Sequence, residues 1–448
     1  MELDIITLRD TLLNGSNGDR VTALRAYHPA DLAVALQPLE PAVAWNILHQ
    51  ASPARQAAVF GYLAPEFQAL LVSVIPRQAL TTLVMHMRAD ERADLYRQLT
   101  EEQRDALMPT LARAEREDIR RLASYQEGTA GAIMTSGYAA LPLDISAAEA
   151  LAVLRREAPD KETIYRAYVV DSSRELLGSV RLQDLITASP RARVSELMKS
   201  CSYQIDVNAE AEEAARRIAH YDMIALPVVD ADNRLVGIIT HDDALDVMEA
   251  GATEDFHRVG TVTHLESGVS SASIFMLYRA RIVWLMLLVF GSIFSGAGIA
   301  HFEDTIAANL ALMFFLPILI SSGGNAGSQS ATLMIRALAT GEIGLSDWTR
   351  VLGRELVLAI LLGTSMACAI ALIGVMRGGP QIALVISLSM ILIVMVGSLI
   401  GMLLPFLLSR FRLDPATAST PLVTSIADAT GVLIYFSIAN VILSIPHG

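Results

Sequence analysis

The sequence predicts a multidomain membrane protein. It reads as a solenoid-like α-helical N-terminal domain (residues 1–130), a tandem α/β pair (131–200 and 201–250), a connecting helix (251–278) and a transmembrane domain of five helices (279–448). Three observations predict this. Proline-initiated helical segments recur early in the chain, a strand–turn–strand–helix unit repeats in its middle, and long uncharged apolar stretches fill its last third.

Composition sets the frame. Of 448 residues 53% are hydrophobic and 18% charged, too apolar for a disordered chain. Residues 279–448 carry eight arginines, no lysine and seven acids, so the remaining 278 residues hold a net charge of −14. An acidic soluble half argues against nucleic acid as a partner and favours cations. Two cysteines, Cys201 and Cys368, exclude a disulfide framework and a cysteine-type zinc site. The opening MELDIITLRD has neither a basic n-region nor an apolar h-region, so no signal peptide is expected.

Residues 1–130 are rich in Ala, Leu, Arg and Glu, with Pro29, Pro41, Pro53, Pro65 and Pro76 at intervals of 11 or 12. Proline at the start of each segment reads as short helices joined by tight turns, either an α-solenoid or an ordinary bundle. Both suit an interaction or regulatory module. In the middle, Val169-Val170-Asp171 recurs as Val228-Val229-Asp230, Gly178 as Gly237 and Asp184 as Asp243, each 59 residues on. The repeat resembles a pair of cystathionine-β-synthase-type (CBS) modules, which implies a ligand-sensing regulatory pair with an adenine nucleotide in its cleft. From Asp242 to Tyr278 a helical pattern leads towards the first span.

In the last third, charge-free gaps at 282–302, 305–335, 356–376, 378–409 and 415–446 each cover the roughly 20 residues that cross a bilayer. Asp428 alone interrupts the last. Seven arginines fall on one side of the five spans and only Arg377 on the other, which places the N-terminal domains in the cytoplasm and the C-terminus outside. Pro317, Pro405 and Pro421 are candidate kinks.

Two stretches carry candidate chemistry in the membrane. An intramembrane acid such as Asp428 costs about 2.5 kcal/mol upward, and is tolerated when it faces water, a cation or a partner. Thr424 lies one turn before it, with its carbonyl on the same face, and Pro421 and Gly431 flank the stretch. A protonated Asp428 bonded across helices is the alternative. The run Ser321–Ser330 holds three glycines, with Asn325 and Gln329 sharing a face; they either line a pore or join helices.

Acids crowd the soluble half. Thirteen acids and three basic residues lie between Asp206 and Asp255, among them Glu210, Glu212, Asp222, Asp242, Asp243, Asp246, Glu254 and Asp255. Asp90 and Asp94 form a similar i, i+4 pair. Like charges at this spacing repel, and hard oxygen ligands suit Mg2+ or Ca2+; a solvated acidic face is the alternative.

Together these parts resemble the MgtE family of magnesium channels and transporters over essentially the whole chain. The resemblance is carried by Ser322-Gly323-Gly324-Asn325-Ala326-Gly327-Ser328-Gln329-Ser330-Ala331-Thr332, by Asp414-Pro415, by Ala427-Asp428-Ala429-Thr430-Gly431, and by Asp242-Asp243 with Ala252-Thr253-Glu254-Asp255. It implies a homodimer in the inner or plasma membrane, a "plug" role for the connecting helix, and Mg2+ as both permeant and regulatory ion. Asp428 resembles the family's pore aspartate, with the Thr424 carbonyl in outer-shell contact and Asn325, Gln329, Pro421 and Asp414 along the pore. Asp90, Asp94, Asp222, Asp243, Asp246, Glu254 and Asp255 match acids that bind regulatory Mg2+, and Glu210 and Glu212 another metal site. Gln183 stands where a relative's nucleotide-contacting Arg would be, leaving Asp184 as a ribose partner for ATP, and Gly251 stands where relatives can carry an acid. The resulting expectation is a Mg2+-gated Mg2+ channel. Its rivals are a Na+- or H+-coupled carrier and a membrane-anchored metal or nucleotide sensor. No nucleophile–base pair or phosphate-binding glycine loop points to an enzyme.

Overall fold

The computed structural model of the chain describes residues 2–201, 203–260, 273–411, 413–417 and 420–443. It divides into two compact units, Met1–Glu249 and Ala250–Gly448.

The first unit opens with short helices from Glu2–Asn14 to Arg113–Ala123. Pro29, Pro41, Pro53 and Pro65 each occupy the first helical position, where the missing N–H is no loss and the fixed φ favours the turn. Helices pack mainly on the helix two positions along: Glu2–Asn14 on Pro29–Leu36, Pro29–Leu36 on Pro53–Gly61, and Pro41–Leu48 on Pro65–Val74. That alternation makes a solenoid rather than a bundle. Leu12, Leu32, Val59, Phe60 and Leu83 have no exposed surface and form its spine.

Two three-stranded sheets follow. The first holds β1 (Tyr138–Pro142), β2 (Thr163–Val170) and β3 (Leu176–Arg181); the second holds β4 (Ile205–Asp206), β5 (Ala225–Val229) and β6 (Leu235–Thr240). In each, the first pair is parallel and the second antiparallel. The 59-residue repeat has a structural basis at its turn aspartates and its glycines. Asp171 and Asp230 each accept backbone N–H groups from two and four residues on, fixing the β2–β3 and β5–β6 turns. Arg174 and Asn233 take the positive φ those turns require, 67° and 58°. Gly178 and Gly237 lie under crossing backbone: a Cβ would sit 2.6 Å from the Lys199 carbonyl oxygen and 2.9 Å from that of Thr135.

These crossings exchange segments between the modules. Thr135 exchanges backbone hydrogen bonds with Ile238 of the second sheet, and Lys199 with Ser179 of the first. The stretch leading into each module therefore completes the other, and a cut at residue 200 passes through an interleaved pair. The tips also pair reciprocally, Leu176 N–H to Asn233 and Leu235 N–H to Arg174.

The helix His241–Val259 follows β6. The connecting helix expected over 251–278 is helical to Val259; residues 261–272 lie outside the described residues, and the next helix is Ile274–His301.

Among the described residues, four helices are long and apolar enough to cross a bilayer: Ile274–His301, Ala311–Ala339, Trp348–Arg410 and Thr420–Leu443. The 63-residue third helix breaks at Gly379, whose φ of 80° and ψ of 179° are non-helical. Its two arms fold back, so that Gly363 meets Ile391 and Gly374 meets Ala383. Gly379 supplies the positive φ, and Pro380 disfavours helix in the residue before it. The break at Gly379 thus turns one long helix into two apolar arms.

One expected kink changes, and the glycine run takes one of its readings. Pro421 is the second residue of Thr420–Leu443, where it starts the helix instead of bending it. The glycine run of Ala311–Ala339 stays helical throughout and serves close approach. Gly323 and Gly327 face Gly397 and Gly401, and a Cβ on Gly401 would lie 2.0 Å from the Gly327 carbonyl oxygen. Two small-xxx-small stripes let the backbones touch.

Candidate functional site

In the membrane half, Asp428 and Thr424 project from Thr420–Leu443 towards Ala311–Ala339. With Ser321, Gly324, Asn325 and Pro317 they line an open cavity of about 390 Å³. Gly324 makes the approach tight: a Cβ there would stand 3.4 Å from Asp428 Oδ1 and 3.3 Å from Thr424 Cγ2. Ser321, Asn325 and Gln329 form one exposed polar stripe on the helix, with Asn325 Nδ2 3.4 Å from Ser321 Oγ. Such a stripe is costly against lipid and suits water or a second polar surface.

No hydrogen bond or ion pair reaches the Asp428 side chain among the described residues, so the interhelical bond weighed for a protonated Asp428 is absent from the single chain. Thr424 Oγ1 and Ser425 Oγ both donate to the Pro421 carbonyl, each at 2.9 Å, which ties down the first turn. Gln329 lies one turn along from Asn325 and does not line the cavity, nor do Pro421 and Asp414.

Asp414 has another partner. It accepts the Ala416 backbone N–H and pairs with Arg258 in the last turn of His241–Val259; Arg258 also pairs with Glu254. Val259, Ile335, Leu404, Leu408 and Ala416 pack around this contact. One guanidinium thus holds two of the acids expected to line the pore or bind metal.

The second acidic constellation is built the same way. Asp90 and Glu91 open the helix Ala89–Gln98, Glu162 precedes β2, and Asp242 and Asp243 open His241–Val259. Arg88 sits among them: its Nη1 is 2.8 Å from Glu162 Oε1 and 3.1 Å from Asp242 Oδ2, and its Nη2 is 3.6 Å from Asp90 Oδ2. Burial, with Asp90 close by, raises the Asp243 carboxyl to about 7, and burial raises Glu91 to about 7 against the pull of Arg88. Asp94, one turn on, pairs with Arg97 but is raised by burial to about 6. Asp90 is 9% exposed and its Oδ1 has no hydrogen-bond partner. An orphaned, buried carboxylate oxygen beside Asp243 fits a cation. Among the described residues, however, no three acidic, histidine or cysteine side chains converge in a coordinating set. Outer-shell contacts to a hydrated Mg2+ fit such an arrangement better than a closed cage.

The other expected residues disperse. Glu210 stands just before the helix Ala211–His220 without a side-chain capping bond, Glu212 pairs with Arg216 at 3.3 Å, and Asp246 is exposed, with burial and Asp242 raising its carboxyl. Asp255 lies in His241–Val259. Asp222, at a φ of 49°, joins a cleft of about 500 Å³ in the α/β pair, with Arg166, Arg181, Lys199, Tyr203 and Tyr221. The two tyrosine rings stack at 4.0 Å. Asp184 is held by Arg181 in a bidentate pair at 2.7 and 2.8 Å, and does not line this cleft.

Sequence reading missed Arg88, Glu162 and Arg258 as parts of these sites. The local signal for Arg88 was its place in Arg88-Ala89-Asp90-Glu91, but Glu162 lies 74 residues away and only the fold joins them.

Comparison with known proteins gives the family. The MgtE divalent cation transporter domain matches residues 316–438, the MgtE intracellular N domain 27–128, and the CBS domain 130–191 and 194–250. The magnesium transporter MgtE of Thermus thermophilus is 38% identical over 441 residues, 98% of each chain. That of Bacillus subtilis is 31% identical over 383 residues, 85% of this chain and 84% of its own. The crystal structure of the cytosolic domain of the Mg2+ channel MgtE in complex with ATP aligns with 54% of this chain and 99% of its own, at 36% identity and a TM-score of 0.51. The soluble part of a magnesium transporter aligns with 56% of this chain and 99% of its own, at 28% identity and a TM-score of 0.51. By sequence over its whole length and by the order of its domains, this chain belongs to the MgtE family of divalent cation transporters.

Proposed function

We propose that this protein carries Mg2+ into the cell as a homodimer in the inner or plasma membrane, and that cytosolic Mg2+ closes it. The observation that carries the reading is Asp428 facing the Ser321–Asn325 polar stripe in an open cavity, with no partner in its own chain among the described residues. A second copy would put two carboxylates and two polar stripes around one axis. Mg2+ sheds water reluctantly, so carboxylate and carbonyl oxygens would contact it through its hydration shell. Transport by the 38% identical relative supports the choice of ion.

Gating follows from the acids. With Mg2+ bound between carboxylates of the N-terminal domain, the CBS pair and the plug helix, the soluble domains stay together and the pore stays shut. When Mg2+ leaves, repulsion separates them, a two-state element biased by its own permeant ion. The soluble domains lie in the cytoplasm and the C-terminus outside. The CBS cleft, with three cationic side chains and stacked tyrosines, suits an anionic nucleotide such as ATP, with Asp222 rather than Asp184 at its wall.

Mg2+ flux into proteoliposomes tests the pore. Asp428→Ala should abolish uptake, while Mg2+-dependent protection of the soluble domains from protease stays intact. Uptake by Asp428→Ala at the parent rate would remove the pore assignment.

A further inference from the structure

The transport reading leaves one member of the acidic cluster unused, and that member is its cation. Arg88 ends the turn before Ala89–Gln98, and its guanidinium touches carboxylates from three separate parts of the chain. Glu162, 74 residues on, belongs to the first CBS module; Asp242, 154 residues on, opens the helix that leaves the second. Asp243 Oδ1 is 3.9 Å from Nη2.

The fork is aimed from both sides. Glu91 Oε2 accepts the Arg88 backbone N–H at 3.1 Å, and Oε1 lies 3.4 Å from Nε. Glu91 is itself confined by Gly61, where a Cβ would come within 2.4 Å of Oε1. Across the contact, the Thr240 hydroxyl donates to Asp242 and Asp243. A guanidinium held this way is pre-organised for several carboxylates at once, which an ammonium is not.

We propose that Arg88 is a tethered counter-cation that positions the N-terminal solenoid against the CBS pair without metal. It thereby sets how much of that contact is left for Mg2+ to make. Five carboxylates around one fixed positive charge leave the cluster negative, with Asp90 Oδ1 still unsatisfied. Arg88 lowers the mutual repulsion of the metal-free state and shares the site with the divalent ion. Removing it turns a contact that is partly metal-independent into one that depends on metal. The contact itself is a property of the fold; its consequence for flux rests on the gating reading above.

Hydrogen–deuterium exchange on the full chain in lipid nanodiscs tests this, with Arg88→Met and Arg88→Lys beside the parent. In EDTA, the parent should keep Ala89–Gln98 and the first turns of His241–Val259 protected. Arg88→Met should exchange there roughly fivefold faster or more, the size of an ordinary coupling between sites. Saturating Mg2+ should restore its protection, which also shows that the variant is folded. Arg88→Lys should fall between. If Arg88→Met is poorly folded, the parent alone still decides: its protection in EDTA should fall as NaCl screens the contact. Equal exchange of parent and Arg88→Met in EDTA, with Mg2+ protecting both alike, would overturn the Arg88 proposal and leave Mg2+ gating standing. A parent–variant difference in EDTA with no effect of Mg2+ on either would overturn the sharing of the site between Arg88 and Mg2+, and would remove the gating reading with it.

Discussion

Gly401→Ala would test the packing that holds the proposed ion site in place. Gly401 lies in the second arm of Trp348–Arg410, against Gly327 of Ala311–Ala339. The alanine methyl would sit 2.0 Å from the Gly327 carbonyl oxygen. Close C–H···O contacts have C···O distances of about 3.3 Å, so the two backbones must part by about 1.3 Å. The obstacle is backbone, not a side chain that could rotate away. The reciprocal pair prevents sliding, since a Cβ on Gly397 would meet the Gly323 carbonyl oxygen in the same sense. Overpacking of this kind costs about 1–3 kcal/mol. It also shifts Gly324, one residue from Gly323, relative to Thr424 and Asp428, so flux should fall along with stability. The assay is thermal unfolding of purified protein with Mg2+ uptake in parallel, and Gly353→Ala as control, because a Cβ at Gly353 meets nothing within 4 Å. Gly353→Ala should be neutral or stabilising by up to about 1 kcal/mol, the helix preference of Ala over Gly. Parent-like melting and uptake in Gly401→Ala would refute the reasoning, because no carbonyl could then stand where the structure puts it.

Two further outcomes are expected. Replacing Asp243, Asp246 and Glu254 together with Ala should leave a transporter that Mg2+ on the soluble-domain side no longer inhibits; normal inhibition, read as flux against Mg2+ concentration, would show that these acids are not the sensor. The raised carboxyls of Asp243 and Glu91, each about 7, make a pH prediction. Between their unfolded values near 4 and about 7 the folded protein binds more protons than the unfolded one, so this contribution to stability falls as pH rises through that window. In EDTA the soluble domains should melt lower at about pH 8 than at about pH 5.5, and Mg2+ should narrow the gap by neutralising the same carboxylates. A melting temperature that rises across that window would mean these carboxyls are not buried among like charges.

Much of the fold was legible because its signals are local. Proline at each helix start, a turn aspartate repeated with its glycine, and uncharged stretches of span length each act within about 30 residues. The 59-residue spacing even held the reason for its own glycines, although the crossing backbone at Gly178 and Gly237 needed coordinates to appear. The acids were legible as residues and not as a geometry. Charge counting marks Asp90, Asp243 and Glu254 as members of crowded acidic stretches, and repulsion then argues for an external cation, while Asp414 entered only through the family resemblance. Pairing at long range changes that argument: Arg88 lies 154 residues from Asp242, and Arg258 lies 156 residues from Asp414. Both arginines looked like ordinary surface charge within their own helices.

The two arginines also bear on how the protein would switch. A purely acidic interface has one metal-free state, apart. An interface with a tethered guanidinium at each contact has a second, in which protein charge partly replaces the ion. The energy gap between closed and open in metal-free protein is then smaller, and less differential binding of Mg2+ is needed to cross it. Arg258 bonds to both Glu254 and Asp414, so a cation taken up by Glu254 would compete for that carboxylate with the same guanidinium that anchors the helix end. Regulation would then read the balance between fixed and mobile positive charge around a constant set of carboxylates, not the simple presence of Mg2+.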